Sequence, residues 1–554
     1  MNRILPTLLL VILTCPAHGL TFEPVTLPES SDEASSIRGS QAYRHKGTKH
    51  PLGYHSLIRS GERRADQIFG LLHDHQGNLI HKADGTARIS QKNDYSSLLQ
   101  VDDALFMLTQ FEEIPGAMYL SQLTQDSNNG QLMVQRTRPL DLSSVNGGWN
   151  HCAGSTTPWQ THLATEEYEP NAAGRDPKTG KIDRYYQYMA SYIDGSPQSL
   201  YPYDYGWQIE IRVEGFQQTQ IDKRFAMGRL SHEVGLVMPD RRTVYITDDA
   251  HNTALFRFVA DHPDDLSSGT LYATRWHQID DSHGGSARIE WISLGHADES
   301  KIKSAMAKKP MFSDLFTQKA PAEDGTCPSS FSSVNTRFGL ECLKILPGMD
   351  QLASRLESRR YAALRGATTE FRKMEGLAFN PSTRQLYVAI TTIDKGMEDQ
   401  RHRGSADIRF DQGGPNHIRL PFMPCGAVYV LSLNPAYVAT EMSVALRGET
   451  ADDDLENFCS TAHIANPDNL TFLDGHDTLI IAEDSSQGHI NNMLWAYEIN
   501  SGQLTRLLTA PLGAEVTGSY YYPDINGWGY LMCTIQHPSE GPASTGYLGP
   551  FKAE

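Results

Sequence analysis

The chain lacks what marks a nucleic-acid binder, a helical bundle or a membrane span. It carries 48 Lys+Arg against 66 Asp+Glu, a net charge of −18 over 554 residues, so the basic face needed for phosphate-backbone binding is missing. Helical periodicity is scarce; the clearest case is QLASRLESRRYAALRG at 351–366, amphipathic and closed by Gly366. There is no Gly-x-Ser-x-Gly elbow and no Walker A loop, and His232-Glu233 runs on into Val-Gly-Leu rather than a His-Glu-x-x-His zinc helix. Serine-hydrolase, P-loop and zincin chemistry drop out together. Apolar residues make up 39%, and with 45 glycines the composition is that of an ordinary globular protein. Disordered, collagen-like and disulfide mini-protein readings are excluded.

Long hydrophobic runs are also absent beyond the first residues. MNRILPTLLLVILTCPAHG at 1–19 places Arg3 before an apolar stretch and ends on Ala17-His18-Gly19, the pattern of a cleaved signal peptide. The stretch falls short of the roughly 20 residues that span a hydrocarbon core. The sequence therefore predicts export to the periplasm or medium without a transmembrane segment. Lipid anchoring at Cys15 is the competing reading, although Thr14 fits such a site poorly. Of seven cysteines, six follow this segment, and an oxidising compartment permits disulfides. Cys327 and Cys342 bracket a short Ser/Pro/Gly segment and are the expected pair, with Cys425 and Cys459 the second.

What is present is short strand-like runs punctuated by turns. Residues 20–50 show no apolar period and predict a flexible lead-in. HDHQGNLIHKADGTARI at 73–89 has hairpin turn chemistry, and its His73, Asp74 and His75 read as turn-flanking residues more simply than as metal ligands. TVYITDD (243–249), QLYVAITT (385–392), TLIIAED (478–484) and GYLMCTIQH (529–537) are apolar runs ending in polar residues. Their spacing approximates multiples of 47–50 residues, the size of a four-stranded propeller blade. The predicted fold is all-β, one propeller over 51–554 with short helical insertions, including one near 299–345. In a propeller the inner strands point at one axis, so distant residues converge.

Acidic strings stand at the ends of these runs: WNHCAGSTTPWQTHLATEE (149–167), MGRLSHEVGLVMPDRRTVYITDD (227–249), FRKMEGLAFNP (371–381), NPDNLTFLDGHDTLIIAED (466–484), GAEVTGSYYYPD (513–524) and TIQHP (534–538). Carboxylates gathered in a low-dielectric channel repel one another unless cations hold them. Oxygen ligands alone suit calcium, and a thiolate such as Cys152 among them points to a softer ion such as iron. Each residue also has a plain reading. Asp248-Asp249 reads as a solvated turn, Cys152 as a small core side chain, Asn469 as an Asx turn and His537 as a strand end. Glu375, leading into Leu-Ala-Phe, is harder to dismiss.

Taken in order, the strings resemble the PhoX family of alkaline phosphatases. The relevant segments are CAGSTTPWQTHLATEE, GRLSHE, KMEG, PDNL, the Glu483-Asp484 pair, EVTG and QHP, running from Cys152 to Pro538. The resemblance implies a six-bladed propeller whose axial pocket holds iron (Fe3+) and calcium and cleaves phosphate monoesters. It implies Cys152 as an iron ligand, Glu233 and Glu375 as cluster-binding acids, and Glu167, Asp468, Glu483 and Glu515 as further acidic metal positions. Lys373 falls where the family commonly has a phosphate-holding Arg. Lys offers a point charge in place of a planar fork, and Arg372 could substitute only through a shift of strand register. Ser155 replaces a family Gly, and the leader has no twin Arg.

The implied chemistry is metal-assisted in-line hydrolysis at alkaline pH, with Lys373 steadying the equatorial oxygens. A monomer acting on small phosphate esters, with no nucleic-acid partner, is expected. A non-catalytic calcium-stiffened binding module and a calcium-dependent propeller lactonase or esterase are the alternatives; iron together with calcium would favour the phosphatase.

Overall fold

The computed structural model describes residues 20–174, 184–193, 195–451, 454 and 456–553. The predicted signal peptide at 1–19, with Cys15, lies outside the described residues. The architecture is all-β: successive four-stranded antiparallel meanders, each starting from one inner strand. They comprise 93–139, 155–223, 232–280, 374–447 and 467–509, and a closing sheet. That last sheet joins Glu515–Ile525, Trp528–Gln536 and Ser544–Lys552 to the early strand Tyr54–Arg59, which pairs with Ser544–Lys552. The 232–280 and 374–447 meanders fuse at their outer edges, where Ser286–Asp298 pairs with Ala439–Arg447. The inner strands touch in cyclic order: Asn93–Val101, Ser155–Thr156, His232–Val237, Met374–Asn380, Pro467–Leu473, Glu515–Ile525 and back to the first. Their strands are apolar on both faces because each sheet is sandwiched between neighbours. Leu98, Met107, Phe111 and Tyr119 of one meander, for example, pack on Tyr530, Met532 and Tyr547 of the closing sheet.

One irregularity recurs. In five inner strands an extra residue is inserted against the neighbouring strand, between Asn93 and Ser96, His232 and Gly235, Met374 and Leu377, Pro467 and Leu470, and Thr517 and Tyr520. A β-bulge breaks the two-residue alternation and re-aims a side chain. Four of these bulges straddle an acid: Asp94, Glu233, Glu375 and Asp468. The backbones there approach closely. A Cβ at Gly376 would stand 2.4 Å from the Asp468 carbonyl oxygen, and Gly518, at φ +61°, lies against the Asp94 backbone.

Residues 20–50, expected as a flexible lead-in, carry Thr21–Phe22, Ala42–His45 and Thr48–Pro51 in one small sheet, and Arg38–Gly39 pairs with Gln503–Thr509. Leu20 and Tyr43 are buried among Leu473, Leu508 and Phe551. A few spaced anchors and strand pairing hold this segment, which is why apolar periodicity does not reveal it. The expected helix at 351–366 is two short ones, Asp350–Leu356 and Ser358–Leu364. The 299–345 insertion forms the helix Glu299–Met306 and a three-stranded sheet. Both expected disulfides are present, Cys327–Cys342 and Cys425–Cys459.

Replacing Gly376 by Ala drives a methyl into the neighbouring backbone, and the expected loss is about 2 kcal/mol or more. Gly53→Ala, where the nearest atom to a Cβ is 3.7 Å away, is expected to change stability by about 0.5 kcal/mol at most. Denaturant melts of the two variants check the difference.

Candidate metal centre

At the bulged ends of the inner strands three overlapping sets of ligand atoms lie within 4.8 Å of one another: Asp94, Glu112 and Cys152; Cys152, Glu167 and Glu233; and Glu233, Asp249 and Glu375. The chain thus brings together four residues named from sequence, Cys152, Glu167, Glu233 and Glu375, with three that were not, Asp94, Glu112 and Asp249. The loop before Ser155–Thr156 carries Cys152. It is fixed by Asn150 N–H to Glu113 O (2.9 Å), Glu167 N–H to Asn150 O (3.0 Å) and His151 Nδ1 to Thr165 O (2.8 Å). Cys152 Sγ stands 3.2 Å from Glu233 Oε1 and 3.8 Å from Asp94 Oδ2. Asp94 accepts from the Thr517 hydroxyl (2.7 Å) and Gln536 Nε2 (3.1 Å). The Tyr168 hydroxyl donates to Asp249 Oδ2 (2.5 Å).

Two carboxylate oxygens of this cluster, Glu233 Oε2 and Asp249 Oδ1, are buried without a hydrogen-bond partner. Unpaired buried carboxylate oxygens are costly, and the electrostatics register the strain. Burial first, then the Glu375 charge, pushes Glu233 well above the usual carboxylate range. Burial and Asp249 do the same to Glu167. Burial and Glu112 raise Asp94 to about 7, and burial and Asp249 raise Glu375 to about 7. The Cys152 thiol is pushed up by burial and by Glu233. Burial works to raise Asp249 too, but Lys373 and hydrogen bonds from Glu167 and Tyr168 hold it below its ordinary value. A donor set of carboxylates and one thiol, with two orphaned oxygens, fits bound cations.

The remaining named residues are placed differently. Asp468 is buried at its bulge and driven well up by burial and by Glu375. Glu515 sits at the rim, 3.3 Å from His537 Nε2; burial and Asp484 raise it, while burial lowers His537 but Glu515 brings it to about 9. Glu483 points into its sheet, where the Ala465 and Met493 N–H groups, Trp495 Nε1 and His489 Nδ1 occupy both its oxygens. Its neighbour Asp484, one residue past the strand Thr478–Glu483, instead lies near Glu375, Asp468 and Glu515. Asp249 likewise stands one residue past the strand that ends at Asp248. Asp248 is bound by Arg359, which also pairs with Glu169, and neither aspartate is a solvated turn residue.

Beside the cluster opens a cavity of about 350 Å³ lined by Arg372, Lys373, Arg403, Asp394 and Asp484, among others. Lys373 has φ +42°, the left-handed region that non-glycine residues rarely take, between the strands Phe371–Arg372 and Met374–Asn380. Arg372 and Lys373, although adjacent, both line the cavity. Lys373 Nζ is 2.6 Å from Glu375 Oε1 and 3.8 Å from Asp249 Oδ2. Although burial lowers it, these acids hold the ammonium well above its usual pKa. Arg372 Nε donates to Asp394 Oδ1 (2.9 Å).

A closed ring of β-sheets with a buried acid–thiol cluster, and beside it a cavity that Arg372, Lys373 and Arg403 help to line, fits the class of metal-dependent hydrolases. The family model described as alkaline phosphatase PhoX matches residues 120–539, and the chain belongs to that family. Among solved structures, Pseudomonas fluorescens PhoX in complex with vanadate, a transition-state analogue, is similar over 96% of this chain and 98% of its own, at 18% identity and a TM-score of 0.62; it supports the fold. A putative 6-phosphogluconolactonase from Bacteroides uniformis is 13% identical over 88% of this chain and 94% of its own, with a TM-score of only 0.29. No curated protein matches the chain.

Stripping metal has a signed pH consequence. Asp94 and Glu375, at about 7 in the fold, bind protons more tightly folded than unfolded. Their contribution is therefore present at pH 4 and lost as pH rises through 7. Chelated protein is expected to melt lower at pH 8 than at pH 5.5, and added metal to raise the midpoint most at pH 8. Thermal melts with and without chelator at both pH values test this.

Proposed function

We propose that this metal-dependent phosphatase is an exported monomer that cleaves small phosphate monoesters with an iron–calcium cluster on the axis of a six-bladed propeller. The single observation that carries the reading is the pair of orphaned oxygens, Glu233 Oε2 and Asp249 Oδ1, one lysine away from a cationic cavity. Cys152 with Glu167, Glu233, Asp249 and Glu375 would hold the ions, and Asp94, Glu112, Asp468 and Asp484 extend the acidic lining; Glu515 stands at the rim. Iron is assigned to the Cys152 end, where a thiol joins the carboxylates, and calcium to oxygen-only positions. Bound ions would place positive charge on the phosphoryl oxygens and lower the pKa of an attacking water.

The chain's own residues supply the rest. Lys373 bridges Glu375 and the cavity, so it neutralises a phosphoryl oxygen while keeping the nearest acid oriented. Arg372, held by Asp394, presents a second cation from the same wall. The local positive lining offsets a molecule of net charge −18, which would otherwise repel a dianionic ester. Among the described residues no helix is long and apolar enough to cross a membrane, which is compatible with export.

Purified protein is expected to carry iron and calcium and to hydrolyse p-nitrophenyl phosphate near pH 9. Cys152→Ala should lose most of its iron, and Lys373→Ala should lose about 10²-fold or more in kcat with its metal retained. Metal-loaded protein without turnover would remove the phosphatase reading; unchanged iron in Cys152→Ala would remove the thiolate ligand.

A further inference from the structure

The cavity is also lined by an aromatic ring that phosphate binding does not use. Phe458 lines it together with Arg372 and Lys373, and its side chain is 53% exposed, so the ring contributes little to the core. Its backbone is nevertheless fastened. Phe458 N–H donates to Gln487 O (3.1 Å), Ala451 N–H donates to Phe458 O (3.0 Å), and Cys459 N–H donates to Gly488 O (2.9 Å). The next residue, Cys459, is tied to Cys425 by a disulfide. Ile490, 40% exposed, adjoins the same strip, its N–H bonded to Asn457 Oδ1 (3.0 Å).

Folding does not require an exposed aromatic on a rigid backbone, and water disfavours it. An aromatic ring carried on a fastened backbone is suited to contact a flat ligand group. Arg372 and Lys373, which line the same cavity, fix which end of an ester faces them. The phosphoryl group belongs with Lys373 and Arg372, and the alcohol portion then extends toward Phe458.

Resting on the phosphatase reading, we propose that Phe458 is a specificity-determining residue that receives the leaving group, and that the preferred esters carry an aromatic or heteroaromatic alcohol. The ring contacts substrate without taking part in bond cleavage. Its effect falls on the discrimination between esters and leaves the chemistry of the phosphoryl group alone.

The test compares kcat/KM for p-nitrophenyl phosphate and glycerol 2-phosphate in wild type, Phe458→Ala and Phe458→Trp. In Phe458→Ala the aryl-to-glycerol ratio is expected to fall roughly three- to tenfold, and in Phe458→Trp to stay within twofold of wild type. Metal content and the thermal midpoint, measured on the same samples, confirm intact protein. A ratio within twofold of wild type in Phe458→Ala overturns the leaving-group contact while the phosphatase reading stands. Absence of turnover of both esters by metal-loaded wild type overturns the phosphatase reading and this contact with it.

Discussion

Mutual repulsion among buried carboxylates is the constraint on which the structure turns. Glu233, Glu167, Glu375, Asp249 and Asp94 share a small volume closed to water, and each carboxylate makes ionisation of the next more costly. A fold gains nothing from such an arrangement by itself. Replacing the group with apolar side chains of similar volume would remove the conflict. Cations reconcile the crowding with stability, and the ring of sheets supplies the rigidity that keeps the ligands close when they are unfavourably charged.

That rigidity rests on a repeated backbone device. An extra residue near the start of five inner strands lifts an acid out of the normal alternation at four of them. Between the meanders, apolar side chains interdigitate on both faces, so the inner strands cannot splay apart to relieve the charge. A different break, the left-handed Lys373, adds cations to the wall of the same channel. Backbone irregularity thus sets where charge of each sign lies, and the regular strands hold it there.

The all-β class, both disulfides and much of the acid–thiol cluster were legible in the sequence. Cys152, Glu167, Glu233 and Glu375 stand out because each adjoins a distinctive string. Asp94 occupies the same second position of its inner strand as Glu233 and Glu375, but the YSSLLQV run that follows it carries no distinctive string to mark it. Asp249 was misread because a pair of aspartates after a strand looks solvated until the opposite strand covers it. Glu483 drew attention over Asp484 because a sequence motif does not say which of two adjacent residues faces the axis; the four donors around Glu483 decide it. The order of the lead-in leaves no local period because Leu20 and Tyr43 are buried against residues far along the chain, among them Leu473, Leu508 and Phe551.

The ring is locked by Tyr54–Arg59 adding itself to the final strand, Ser544–Lys552. A chain still being synthesised has one end of its circle but not the other, and the candidate ligands are spread from Asp94 to Glu375, with acids of the surrounding channel as far on as Glu515. No shorter fragment brings together the whole acidic lining. Assembly of the complete lining therefore waits on the two ends of the chain meeting, when Ser544–Lys552 takes Tyr54–Arg59 as its partner.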